Sequence, residues 1–395
     1  MLGKLSNFAG PISSFILQNN LSNLILSLDA GNTASYSGTG NIWYDLSGNN
    51  NNFILNGSTA SVYENGSIYF SPTYSQYATA SDLGTLSKFT VDTWFNLKSL
   101  PVYGTNPQII TNIFDNEHPH INFSIGVING NPNGQPWDGK IMGGFFVDGT
   151  YFWVNTDGFT ASINTWYNTV LTYDESHLKF YLNGNIYSSV DSNLPATTSD
   201  LGINIGKRWD TAEYIDADIS IVRIWDNALT PSQISNNFNS SKHRFFNTAR
   251  YIRLIITKIK NNSNLGGATQ MDDFILMFNN NIVNWNINAT ASNPDGTYST
   301  SESPSNLLDN NTLTKWCDTN FVANSEVATV YIDNAIPITF DSYYYVTGND
   351  YAERDPISWT LAISNDDSTW ITIDTRTNVS ITDSRDTTTQ IFMIN

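Results

Sequence analysis

The stretch KFTVDTWFNL, residues 88–97, alternates without interruption: Phe89, Val91, Thr93, Phe95 and Leu97 share one parity, and Thr90, Asp92, Trp94 and Asn96 the other. Successive side chains of an extended strand point to opposite faces, so such a run makes a strand and presents no helical stripe. Similar short runs recur along the 395 residues, each bounded by turn-forming residues, and no long amphipathic helix appears anywhere. Apolar faces of this kind are buried by packing sheet on sheet. The expected fold class is all-β, with two β-sandwich (jelly-roll) domains in tandem and a short N-terminal arm.

Local signals place several elements. In TWYNTVLTYDESHLKFYLNGNIYSSV, Asn183-Gly184 marks a hairpin turn, with Leu178, Phe180 and Leu182 on one face leading into it. ADISIVRIWDNALTPSQISNNF reads as a strand followed by a short helix, with Thr230 as N-cap and Pro231 at the first helical position. The cationic, non-periodic stretch NSSKHRFFNTAR interrupts the pattern before strand-like runs resume. The expected organisation is therefore an arm over residues 1–20, a first domain over 21–243 and a second over 248–395. The arm, with FAGPISSFILQNN at its centre, reads either as a loose terminus or as a docking segment.

Charge narrows the partners. Lys and Arg total 18 against 36 for Asp and Glu, a net charge of -18. Such a surface repels phosphate backbones and anionic headgroups, which argues against nucleic acid and against membrane insertion. The aromatic content is high, with 20 Tyr, 21 Phe and 11 Trp, as suits strands and sugar-stacking surfaces alike. Cys317 is the single cysteine, so no intrachain disulfide forms, and it is expected to be an inert buried thiol. The first residues carry one Lys and no unbroken apolar run, a poor secretory leader. The expected location is a virion, or otherwise outside the cell without a Sec signal.

Three stretches carry a resemblance in residues 24–240: LDAGNTASYSGTGNIWYDLSGNNNNFIL, WYNTVLTYDESHLKFYLNG, and IGKRWD with YIDADISIVRIWDNALTPSQI. They resemble, in this order, the opening motif, central hairpin and closing strand and helix of laminin-G-like, concanavalin A-like jelly rolls. That resemblance implies two antiparallel sheets, a glycan-binding concave side or rim, and Ca²⁺ in many members. The opening motif also resembles virion proteins of marine phages and large algal viruses. Residues 248–395 resemble discoidin-like, galactose-binding-like sandwiches, the fold of coagulation factor C domains, through LLDNNTLTKWCD and YVTGNDYAERDPISWTLAISNDDSTWITIDTRTN. In that family a segment like YIRLIITK…GGATQMDDFILMF closes the fold, whereas here it comes first. This implies either a permuted domain or one completed by another chain.

Acids, histidines and loop aromatics are the side chains that could carry chemistry. Glu353 and Asp355 have the two-residue spacing of paired carboxylates, but they lie in the second domain, directly before Pro356. With Arg354 between them positioned to hold a carboxylate, they are expected to be architecture rather than an acid/base pair. None of Glu64, Glu117, Glu175, Glu213, Glu302 and Glu326 has an acid two positions on. Glu117, His118 and His120 contain a His-x-His pair, read as a turn beside a strand rather than a zinc site. The discoidin-like resemblance implies structural calcium at Asp309, Asn311 and Thr314, with Asp273 where relatives carry Glu; the alternative is an Asx-turn held by its own side chains. Asp29, Asp45 and Asn49, in acid-and-amide loops of the first domain, are candidates for a second calcium. Loop aromatics that could stack on sugar rings are Trp137, Trp209 and Tyr214 in the first domain, and Tyr298 and Tyr351 in the second.

The expected function is non-catalytic: glycan binding, adhesion or structure on a virus particle. Expected partners are glycans or host cell-surface polysaccharide, other virion or capsid proteins through residues 1–20, and further copies of the chain. The alternatives are a glycoside hydrolase with an appended carbohydrate-binding domain, and a purely architectural capsid protein.

Overall fold

The computed structural model describes residues 23–394 except 60, 65, 82, 113–121, 130–138, 148–149, 157–158, 192–201, 209–210, 262–266 and 279–280. The expected arm, residues 1–20, lies outside the described residues. The chain divides after Lys242 into two units. Both are built from antiparallel sheets, and the fold is all-β. Among the described residues no helix is long and apolar enough to cross a membrane.

The first unit holds two eight-stranded sheets. One runs Asn185–Asp191, His177–Leu182, Trp166–Tyr173, Phe89–Leu97, Ala217–Trp225, Ser67–Phe70 and Val62–Glu64, with Leu24–Asp29 also paired to Ala217–Trp225. The other runs Thr150–Asn155, Lys140–Val147, Asn122–Ile128, Gln108–Asn112, Ile203–Ile205, Tyr77–Ala80, Phe53–Asn56 and Ile42–Trp43. Phe89, Val91, Phe95 and Leu97 join Phe123, Ile125, Leu171, Phe180 and Ile219 in one apolar core. Gly143 lets the facing side chains come close, because a Cβ there would sit 2.8 Å from Leu171 Cδ1 and 2.9 Å from Phe180 Cδ2.

The other parity of Phe89–Leu97 is buried as well. Trp94 stacks on Phe238 of the helix Pro231–Ser241, with ring centroids 5.5 Å apart and planes 1° from parallel. Thr90 fixes the approach to that helix: its hydroxyl accepts from Leu229 N and donates to the Asn227 carbonyl, both at 2.8 Å. The helix begins with a capping box between Thr230 and Gln233, with Pro231 in its first turn. Beneath it, Asp92 meets Arg223 at 3.5 Å and accepts from Asn168 Nδ2 at 2.6 Å. Burial pushes the Asp92 carboxyl up, against the pull of Arg223. The Asn183-Gly184 turn has φ of 49° and 79°, as a two-residue hairpin needs, and Gly184 packs directly under Phe238.

The second unit stacks a five-stranded sheet against a four-stranded one, with a two-stranded ladder beside them. The five-stranded order is Thr290–Ser292, Ala328–Phe340, Asn247–Ile259, Pro356–Ser364 and Ile371–Arg376. The segment that enters the unit first therefore occupies a central position. The four-stranded order is Asn281–Val283, Phe274–Phe278, Ser342–Tyr345 and Phe392–Met393, and Thr269–Met271 pairs with Trp316–Asp318. Tyr343, Trp359 and Phe392 form an aromatic knot in the core, tied by a 2.7 Å bond from Trp359 Nε1 to Tyr343 Oη. Cys317 is buried, and burial pushes its thiol up to about 11, as befits an inert group.

Candidate functional site

In the second unit the loop between Val346 and Pro356 is held from beneath by side chains far away in sequence. Gln270 Nε2 donates to the Asp350 carbonyl at 2.7 Å and to that of Tyr351 at 3.3 Å. The buried ammonium of Lys315 reaches Asp350 Oδ1 at 2.6 Å and Gln270 Oε1 at 3.2 Å. Partial burial opposes ionisation of Asp350, but Lys315 prevails and holds its carboxyl below the ordinary range. Arg385 donates to the carbonyls of Gly348 and Asp350 at 3.2 and 3.1 Å.

This scaffold presents Tyr351. Its backbone sits at φ 27° and ψ 84°, outside the helical and extended wells and strained for a residue bearing a Cβ. The residue is 45% exposed, and the Arg354 guanidinium lies 4.4 Å from its ring centroid. A part-exposed aromatic side chain with a carboxylate and a guanidinium close by, on a loop held by buried bonds, suits a polyhydroxylated ligand. Tyr298, also exposed, belongs to a different loop, whose Thr297 N donates to Asp318 Oδ1.

Of the Glu353 and Asp355 pair, Asp355 is held in a buried ion pair, and the residue holding it is not the expected one. Asp355 is fully buried and gripped by Arg385 through two bonds of 2.8 and 2.6 Å, with Lys260 at 3.2 Å. Arg354, its sequence neighbour, turns instead to Tyr351 and Asp350. Burial pushes the Asp355 carboxyl up, while Arg385 and Lys260 draw it down.

Four residues expected to hold calcium come together. Asp309 Oδ2 accepts from the Thr314 hydroxyl at 2.8 Å and Oδ1 from Asn311 N at 3.0 Å, while Asn311 Oδ1 accepts from Leu313 N. These are the bonds of an Asx-turn. Asp273 faces this loop from a buried position, and its Oδ1 has no hydrogen-bond partner. Burial and the charge of Asp309 push the Asp273 carboxyl up to about 6. Two carboxylates facing each other across an oxygen-rich loop, one of them with a free buried oxygen, form a donor set that fits a hard cation. Among the described residues no three His, Cys, Asp or Glu side chains converge on a metal position, so Asn311, Thr314, main-chain carbonyls or water would complete such a shell.

The first-unit calcium candidates serve another purpose. Asp45 Oδ1 accepts from Ser27 N and Ser47 N, both at 2.8 Å, and Oδ2 from the Ser47 hydroxyl at 2.7 Å and Asn51 N at 3.0 Å. A carboxylate offers about four lone-pair positions, and all are taken. Asn49 donates to the Leu24 carbonyl at 3.1 Å, and Asp29 accepts from Gly31 N within its own turn. These residues strap the loop to the strand Leu24–Asp29 rather than converging on an ion.

Of the first-unit aromatics, Trp137 and Trp209 lie outside the described residues, as do Glu117, His118 and His120. Tyr214 is half-buried at a corner of the second sheet, where its ring lies 6.1 Å from that of Tyr77. Lys207 Nζ covers both rings, at 4.9 Å from Tyr77 and 5.8 Å from Tyr214. Sequence reasoning missed Tyr77, Gln270, Lys315 and Arg385. Only Tyr77 carried a local signal, being an aromatic residue in an alternating run.

Residues 72–235 match the family model described as the concanavalin A-like lectin/glucanases superfamily, Laminin_G_3. That span runs from ahead of the strand Tyr77–Ala80 into the helix Pro231–Ser241, so the match supports the expected resemblance of the first unit over those residues. No curated protein matches the chain. Among solved structures, it is similar to domain 4 of AbnA, a GH43 extracellular arabinanase from Geobacillus stearothermophilus, solved in complex with arabinotriose. The identity is 18%, over 54% of this chain and 97% of that one, with a TM-score of 0.42. The binding domain of Paraclostridial Mosquitocidal Protein 1 is 15% identical over 94% of this chain and 92% of its own, with a TM-score of 0.47. The botulinum neurotoxin type G receptor binding domain is 14% identical over 94% and 78%, with a TM-score of 0.40. All three likenesses are distant.

Proposed function

We propose that this protein is a non-catalytic glycan-binding protein whose second unit engages sugar through the Tyr351 loop. The observation that carries this reading is the exposed, strained Tyr351 on a loop pinned by Gln270, Lys315 and Arg385. A sugar ring stacks its C–H face on the tyrosine, while Asp350 and Arg354 meet its hydroxyls. The rigid loop has little conformational entropy left to lose on binding. In the first unit the Tyr77–Tyr214–Lys207 corner offers a second aromatic surface, and the concanavalin A-like match over residues 72–235 supports a lectin role there.

The same proposal includes one structural calcium, held by Asp273, Asp309, Asn311 and Thr314. A bound calcium would neutralise the two facing carboxylates and stiffen the loop at residues 309–314. The kinship of the second unit with discoidin-like sandwiches, the display of the protein on a virus particle and self-association belong to this reading too. Display rests on the resemblance of the LDAGN…WYDLSGNNNNF opening.

A glycan array with the full chain tests the binding role. Wild type is expected to bind defined glycans, and Tyr351→Ala to lose at least tenfold in affinity while keeping its melting temperature. Unchanged binding by Tyr351→Ala refutes the loop assignment. No binding to any glycan, with and without millimolar Ca²⁺, refutes the function.

A further inference from the structure

Next to Asp273 stands a carboxylate in a more extreme position. Asp272 is fully buried, and no donor group is bonded to either of its carboxylate oxygens. Its backbone N–H donates to the Val346 carbonyl at 2.9 Å, and Asp386 N donates to the next carbonyl, that of Thr347, at 3.2 Å. The two aspartates are thus fixed to consecutive residues of one segment, and their carboxyls lie within hydrogen-bonding reach of each other. Asp386 itself is exposed and holds a left-handed backbone at φ 51°. The nearby ammonium of Lys315 is already bound to Asp350 and Gln270.

We propose that Asp272 and Asp386 form a cation site, separate from the one at Asp273 and Asp309. A buried carboxylate with no donor is one of the costliest arrangements in a folded protein, and a second carboxylate beside it adds repulsion. Two remedies exist. A proton shared between the pair satisfies one oxygen of Asp272 and leaves the other without a partner. A cation satisfies both oxygens and cancels the repulsion, so the geometry favours the cation. An all-oxygen donor set with a solvent-facing member suits a hard ion that completes its shell with main-chain carbonyls and water, which is calcium chemistry. Asp272 and Asp273 are adjacent but face different loops, one toward Asp386 and the other toward residues 309–311. The Asp386 site would fasten the segment Val346–Thr347 at the root of the Tyr351 loop.

The experiment is calorimetric titration of the chelator-treated full chain with calcium chloride, with circular dichroism as the check on folding. Wild type is expected to bind two equivalents, Asp386→Asn one and Asp309→Ala one. Asp386 is exposed, so its isosteric amide leaves the fold in place; Asp272→Asn serves as the second variant and should also bind one equivalent. If wild type binds one calcium that Asp309→Ala abolishes and Asp386→Asn retains, the Asp272 site is refuted and the Asp273 site stands. If that one calcium is abolished by Asp386→Asn and retained by Asp309→Ala, the Asp272 site stands and the Asp273 site is refuted. No calcium bound to wild type refutes both.

Discussion

Arg385→Ala is the perturbation that most directly tests how the Tyr351 loop is held. Asp355 is fully buried, and Arg385 supplies it with two charge-assisted bonds of 2.8 and 2.6 Å. Removing one partner of a buried pair costs about 3–5 kcal/mol, because the other charge is left behind without compensation. Lys260, 3.2 Å from the same carboxylate, remains and sets the expectation at the lower end, about 3 kcal/mol. The carbonyls of Gly348 and Asp350 lose a donor as well, but that of Asp350 keeps its 2.7 Å bond from Gln270 Nε2. A domain of this size loses about 2–4 °C per kcal/mol, so a drop of roughly 6–12 °C in the transition of the second unit follows. The assay is urea and thermal unfolding of the full chain, run as a double-mutant cycle with Asp355→Asn. The amide removes the stranded charge, so the double variant should recover part of the loss, with a coupling of about 2 kcal/mol. Glycan affinity in Arg385→Ala should fall well below the melting range, since the loop loses its anchor before the core does. A cost under about 1 kcal/mol, or strict additivity with Asp355→Asn, refutes the idea that this pair anchors the loop.

Two further outcomes concern the first unit. Burial opposes ionisation of Asp174, but Lys179 and the backbone N–H groups of His177 and Ser176 hold its carboxyl down at about 2. A carboxyl depressed in the folded state stabilises it above the unfolded value near 4, and that contribution fades as pH falls toward 2. Asp174→Asn should therefore cost up to about 1 kcal/mol at pH 7, the exposed setting discounting the larger figure, and progressively less as pH falls through 2, as read from urea midpoints across pH. A pH-independent difference refutes the ionic origin. Gly143→Ala drives a methyl against Leu171 and Phe180 and should cost about 1–3 kcal/mol, part of it recovered in the double variant with Leu171→Val. Equal stability of Gly143→Ala and wild type would show that this core has slack at Gly143.

Much of the fold was legible because its causes are local. The alternation at residues 88–97, the Asn183-Gly184 turn and the Thr230-Pro231 helix start each rest on contacts within a few residues. Burial of both parities of Phe89–Leu97 was not legible, because the cover over Trp94 comes from Phe238, far along the chain. The same limit explains Asp355. Its neighbour Arg354 was the obvious counter-charge in sequence, yet adjacent side chains at the start of a strand diverge. The true partner, Arg385, arrives from a different loop.

The acids make this limit most explicit. Asp45 and Asp309 each stand in a loop of amides and hydroxyls, and the two loops read alike as text. The structure separates them by what arrives from elsewhere. Ser27 N–H, from the strand Leu24–Asp29, helps to fill the lone pairs of Asp45 and leaves no room for an ion. At Asp309 the arriving group is the carboxylate of Asp273, which meets the Asp309 charge while accepting from the Asn310 and Asn311 backbone N–H groups, and at Asp272 it is that of Asp386. A loop aspartate therefore becomes a cation candidate through the sign of its distant partner rather than through its own motif. Donors close the site and acceptors open it. On that criterion the acids to mutate first are Asp309 and Asp386, and Asp45→Asn should loosen a loop without changing calcium stoichiometry.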